Sequence, residues 1–223
     1  MASVQSGDKQ LTPNNRHKII EYWMRILLSS ANSILDITNI IITFSKEHDQ
    51  FDASTSSHHI DINSGGDIIA LSDSHDLARW NTASAFGYFI ASPGRKYEWT
   101  LQLLDDGITA NLGICKSTQK NHRSKQWWQY RHGYSYFSDG SFNGYQFCKP
   151  GYGPQLAKGD IIQICLDFNQ VDSDISYIVN GYDCGTAHDI NPEYNYKLAI
   201  AFESKSESNS KIQLVSFVAY DYS

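Results

Sequence analysis

The chain has 223 residues (25.2 kDa), 41% hydrophobic and 13% aromatic but only 19% charged, with a net charge of −6 and a pI near 5.7. That balance excludes disorder along most of the length, and an acidic chain is a poor match for nucleic acid, whose binders carry basic domains. Mean hydropathy is −0.42, and the longest apolar run, residues 34–44, is interrupted by Asp36, Thr38, Asn39 and Thr43, so no helical bilayer span is expected.

Residues 1–13 are polar, without the apolar core of a signal peptide, and read as a flexible arm. Ile19, Ile20, Trp23, Ile26 and Leu27 then recur at helical spacing behind Asn14 or Asn15 as N-cap. The serine-rich stretch 29–33 breaks that pattern. Ser33 can cap a second helix with Ile37, Ile40, Ile41 and Phe44 along one face, although the β-branched run 40–43 also suits a strand. A short helical hairpin is therefore expected over residues 14–50.

From Phe51 the period becomes two. Trp99, Leu101 and Leu103 alternate with Thr100 and Gln102; Ile162, Ile164, Leu166 and Phe168 point one way, with Gln163, Cys165 and Asp167 the other. Leu198, Ile200 and Phe202 repeat the scheme, as do Ile212, Leu214 and Val218. The strongest local signal is Asn180-Gly181 between two alternating runs. It supplies both positive-φ positions of a type I′ turn and predicts a tight hairpin. Short alternating strands without intervening helices predict an antiparallel β-sandwich over residues 51–223.

Several fragments then occur in a telling order. Tyr152-Gly153-Pro154, Lys158-Gly159-Asp160, Leu166-Asp167-Phe168, Val179-Asn180-Gly181 and Gly185-Thr186-Ala187 follow one another; upstream lie Tyr97-Glu98-Trp99, Leu112-Gly113-Ile114-Cys115, and Trp128, Tyr130 and Gly133 ahead of Asp139-Gly140. This set resembles the SPRY domain over about residues 58–220. The resemblance implies an all-β, bent antiparallel sandwich of SPRY/concanavalin-like type that displays loops at one edge for partner proteins or short linear peptides, without catalysis. Trp128 and Tyr130 would lie on a strand that buries at least one of them.

Chemical motifs are sparse. Asp167, Asp172 and Asp174 miss the EF-hand pattern, because Asp172 stands where Gly is needed and Ile178 where Glu is needed. His58 and His59 on a strand would point to opposite faces, so no metal site is expected. Gly133-Tyr134-Ser135-Tyr136-Phe137 lacks the second Gly of a nucleophile elbow, and no phosphate-binding loop occurs. Neither an enzyme nor a cofactor is expected.

Residues 116–133 are different. Lys116, Lys120, His122, Arg123, Lys125 and Arg131 stand there without an acid, interleaved with Trp127, Trp128 and Tyr130. Cation and aromatic side chains together suit a protein or peptide ligand, with single-stranded nucleic acid the weaker reading. Arg79, Trp80 and Asn81 form a second candidate loop. The expected binding residues are thus Arg79, Trp80, Asn81, Lys116, Lys120, His122, Arg123 and Trp127. The alternative is a carbohydrate-binding lectin. Cys115, Cys148, Cys165 and Cys184 show no metal or disulfide spacing and no N-x-Ser/Thr sequon occurs, so free thiols in the cytoplasm are expected.

Overall fold

The computed structural model describes residues 49–72, 82–120, 126–169, 172–203, 206 and 210–222. The expected arm and helices at residues 1–48 lie outside them. The described chain forms two antiparallel sheets. The seven-stranded sheet holds, in spatial order, β1 (Ile60–Ile62), β2 (Ile68–Leu71), β13 (Lys211–Asp221), β4 (Arg95–Leu103), β9 (Ile161–Phe168), β10 (Ser173–Val179) and β11 (Tyr182–Asp189). The six-stranded sheet holds β3 (Thr82–Phe86), β12 (Tyr196–Glu203), β5 (Ala110–Lys116), β6 (Gly133–Phe137), β7 (Phe142–Gly144) and β8 (Phe147–Lys149).

Period-two patterning decides which face each strand buries. Tyr97, Trp99, Leu101 and Leu103 of β4, with Ile162, Ile164, Leu166 and Phe168 of β9, meet Leu112, Ile114, Tyr134, Tyr136, Leu198, Ile200 and Phe202 of the other sheet in one apolar core. The expected alternations of β4, β9 and β12 hold. In β12, however, Ala199 and Ala201 are buried as well, because the outer face of that sheet is also covered.

β13 departs from expectation. Its register against β4 shifts between Leu214 and Ser216, leaving Val215 extra and half-exposed. The bulge flips all that follows. Phe217 therefore pairs with Trp99 and joins the core, whereas Val218, expected on the face of Ile212 and Leu214, pairs with Glu98 on the other side.

The sandwich also starts before residue 51. Asp49 is buried, and its carboxylate accepts hydrogen bonds from Trp99 Nε1 (2.7 Å) and from the backbone N–H groups of Phe89 (2.8 Å) and Gln50 (2.9 Å).

Asn180 and Gly181 have φ of 50° and 81° and join Val179 to Tyr182, as a type I′ hairpin requires. A Cβ on Gly181 meets nothing within 4 Å, so the only obstacle to a side chain is the backbone conformation. Gly181→Val is expected to cost about 1–2 kcal/mol in urea unfolding, since a β-branched residue resists positive φ. An unchanged midpoint would contradict this turn.

Candidate recognition surface

At one end of the sandwich β5 finishes at Lys116, which pairs with Tyr196 at the start of β12, and β6 begins at Gly133. Lys116 Nζ stands 3.9 Å from the centroid of the Tyr194 ring, and the His132 ring lies 4.4 Å from the same residue. A cation over an aromatic face is attracted by the ring quadrupole, which fixes a long, otherwise mobile side chain. His132 adopts φ 72° and is held below its ordinary pKa by burial, then by Arg131 and Lys116, so the imidazole is neutral at pH 7. Ala91 bridges to Tyr196, which brings the segment after β3 to the same end; its Tyr88 (69%) and Ile90 (49%) are exposed. Exposed aromatic and aliphatic side chains beside a fixed cation suit a ligand with both apolar and acidic groups.

Just ahead of β6, Trp127 and Trp128 lie against the outer face of the six-stranded sheet. Residues Trp127–Gln129 form a single 3-10 turn, not the expected strand, and Tyr130 lies beyond it. Trp127 (2%) and Trp128 (6%) are both buried, edge to face at 5.3 Å, against Phe86, Cys115, Ala199 and Ala201. The turn rests on Gly133, where an added Cβ would stand 2.3 Å from Trp127 O and 2.7 Å from Trp128 Cα. Both contacts are backbone and cannot rotate away. Gly133→Ala should therefore lift the turn off the sheet, seen as a red-shifted tryptophan emission and increased quenching by acrylamide. Native-like emission would mean that the turn packs elsewhere.

Of the expected binding residues, the structure brings Lys116 to Tyr194 and leaves Lys120 exposed, its carbonyl accepting from Gln119 Nε2 at 3.1 Å. Trp127 is a covering residue with its ring inside, not a surface contact. Arg79, Trp80, Asn81, His122 and Arg123 lie outside the described residues. Tyr194, His132, Tyr88 and Ile90 at this end are not among the expected residues. Tyr194 is brought to Lys116 by strand pairing, for which neither segment carries a local signal.

A polar cleft of about 620 Å³ opens at the opposite end, among Asp105, Asp106, Asp139, Lys158 and Glu203, none of them an expected binding residue. All four cysteines are free. Burial pushes the Cys115 thiol up to about 12, and burial followed by Glu98 does the same for Cys165, so neither is a ready nucleophile at neutral pH. Among the described residues no His, Cys, Asp or Glu cluster has metal-holding geometry, and no helix is long and apolar enough to cross a membrane.

No protein-family model and no curated protein matches this chain. Solved structures do. The SPRY domain of human HERC1 superimposes with a TM-score of 0.56 at 16% identity, covering 77% of this chain and 97% of that one. A second human SPRY domain gives 0.51 at 16% identity, covering 70% and 94%. The fold is that of the SPRY domain. The all-β antiparallel sandwich expected from the ordered fragments is thus present, as an SPRY-like arrangement of two sheets. The NHR1 domain of Drosophila melanogaster neuralized is also similar, with a TM-score of 0.46 at 13% identity over 76% of this chain and 98% of that one.

Proposed function

We propose that this chain is a non-catalytic, intracellular interaction module that holds a partner protein or short peptide at the Lys116–Tyr194 end of its SPRY-like sandwich, serving as a substrate-recognition or scaffolding part. The observation that carries the reading is the clamped Lys116–Tyr194–His132 group beside exposed Tyr88 and Ile90. Fold alone does not assign a ligand, whereas this juxtaposition of the fixed Lys116 ammonium with an exposed aromatic and an exposed aliphatic side chain favours one. Lys120, His122 and Arg123 follow Lys116 in sequence, and Arg79, Trp80 and Asn81 are proposed as further contacts.

The test is binding of a partner recovered by affinity purification from the native cell. Tyr88→Ala and Arg123→Ala should each weaken it by about thirtyfold, the effect of losing a hot spot of roughly 2 kcal/mol. The melting temperature of Tyr88→Ala should stay within about 2 °C, as expected for an exposed position. Unaltered binding by both variants would remove this surface from consideration. Selective retention of a glycan on an array would point instead to the lectin alternative.

A further inference from the structure

The Lys116–Tyr194 end of the sandwich gathers positive charge without a paired acid. Lys116 closes β5, and Arg131 and His132 lie in the turn that leads into β6. Lys116 Nζ stands 3.9 Å from the centroid of the Tyr194 ring, and the centroid of the His132 ring stands 4.4 Å from the same point. One phenol ring therefore limits how far apart the two can be, a span within reach of one acidic side chain or two neighbouring ones. All four side chains can be approached from solvent: Arg131 is exposed, and Lys116, His132 and Tyr194 are half-buried. Ion pairs among the described residues join Arg95 to Asp221, Lys96 to Asp167 and Lys158 to Asp106, so no described acid pairs with Lys116, Arg131 or His132. Glu193, beside Tyr194 in sequence, is exposed and takes part in none of these pairs.

His132 is the member of this group whose charge a ligand can change. Its φ of 72° lies in the left-handed region, and backbone strain of that kind clusters at ligand-binding positions. The groups that face it are Lys116 from β5, Arg131 from its own turn and Tyr194 from the segment ahead of β12. Tyr134 of β6, on which Arg131 also acts, stays un-ionised at neutral pH because burial raises its phenol. Burial, then Arg131, then Lys116 hold the imidazole neutral, and no described carboxylate opposes them. A carboxylate placed against the group reverses that balance. It favours the imidazolium, offsets the neighbouring cations and gains a second charged donor. The proton comes from solvent and settles on the unprotonated ring nitrogen.

We propose that Lys116, Arg131 and His132 form, on Tyr194, a carboxylate site for an acidic peptide, and that binding there takes up one proton at His132. The inference rests on the peptide-binding reading above and names the ligand group and its regulation. A peptide carboxylate is favoured over a free anion because exposed Tyr88 and Ile90 stand at the same end, where apolar neighbours on the peptide can pack. By linkage, affinity rises as pH falls, by up to about tenfold for each pH unit by which the ligand raises the His132 midpoint. Glutamate side chains stay largely ionised down to about pH 5.5, so the ligand contributes little to that slope.

The probe is tetraglutamate, with tetraglutamine, inorganic phosphate and an oligothymidylate as controls, followed by NMR on the full chain. Of the eight histidines, His132 is the one whose imidazole resonances vanish in His132→Asn, and asparagine tolerates the same φ. Tetraglutamate should raise the His132 titration midpoint by about one pH unit, and tetraglutamine should leave it in place. Tetraglutamate should also bind the parent about tenfold more tightly at about pH 5.5 than at about pH 7.5, and His132→Asn should lose most of that gain. Asp49, which titrates near pH 6 and holds the Phe89 N–H, is unchanged in this variant, so the parent-minus-variant difference belongs to His132. Lys116→Met should weaken tetraglutamate about tenfold and raise the His132 midpoint of the free protein. An unmoved midpoint with tetraglutamate, an equal gain in parent and His132→Asn, or undiminished binding by Lys116→Met would overturn the site. Tighter binding of phosphate or of the oligothymidylate than of tetraglutamate would overturn its assignment to carboxylate. If tetraglutamate leaves His132 unmoved while Tyr88→Ala still weakens the captured partner, this site fails and the proposed surface stands. If Tyr88→Ala and Arg123→Ala leave that partner untouched as well, both fail.

Discussion

Trp99→Ala is expected to lower the melting temperature by roughly 6–20 °C. Truncating a buried aromatic costs about 3–5 kcal/mol, and each kcal/mol moves the midpoint of a chain this size by roughly 2–4 °C. Trp99 is completely buried in β4, a strand flanked on both sides by β13 and β9, so no edge can relax into the cavity. Its ring lies 5.9 Å from Tyr97, nearly parallel, and 5.4 Å from Phe217. Its indole N–H is also one of three donors to Asp49, so the change disturbs a polar contact along with the packing. Total stabilities of such domains are only about 5–15 kcal/mol, which makes this loss a large share. A variant melting within 2 °C of the parent would contradict the assignment of Trp99 to the core.

Asp49→Ala is expected to cost about 2–4 kcal/mol at pH 7, measured by urea unfolding. It strands the Trp99 indole and the backbone N–H groups of Phe89 and Gln50, and a buried donor without an acceptor costs roughly 1–3 kcal/mol. Removal of a buried charge offsets part of that sum. The same carboxyl gives a pH dependence of definite sign. Burial raises Asp49 from 3.8 to about 6, against the opposing hydrogen bonds from Phe89, Trp99 and Gln50. The folded state therefore holds this proton more tightly than the unfolded chain does. Its contribution to stability is full below about pH 4 and is lost as pH rises through about 6, on the order of 3 kcal/mol across the window. Other carboxyls titrate in the same range, so the informative quantity is the parent minus Asp49→Asn difference. That difference should fall with rising pH between 4 and 6. A flat difference would mean that Asp49 ionises as it does in an open chain.

What the sequence determined by itself is local. The alternations of β4 and β9 are consequences of a two-residue pleat, and Asn180-Gly181 is a consequence of which residues tolerate positive φ. Both follow from sterics within a few residues, as does the order of strand and turn fragments that resembles the SPRY domain. Tertiary structure decided the rest. The extra residue at Val215 obeys no local rule, since only pairing against β4 shows that one position must be skipped. Trp127 lies in a polar, cationic segment and reads as surface, yet the small residues at Gly133 and Ala199 let the turn close against the sheet and cover it together with Trp128. Asp49 falls in a stretch that reads as the end of a helix, and only the indole of Trp99, fifty positions away, makes it part of the core. The clamp of Lys116 on Tyr194 is likewise set by strands that meet from distant parts of the chain. Backbone sterics act over a few residues, whereas the partners of a charged or polar side chain depend on which distant segments pairing brings to it.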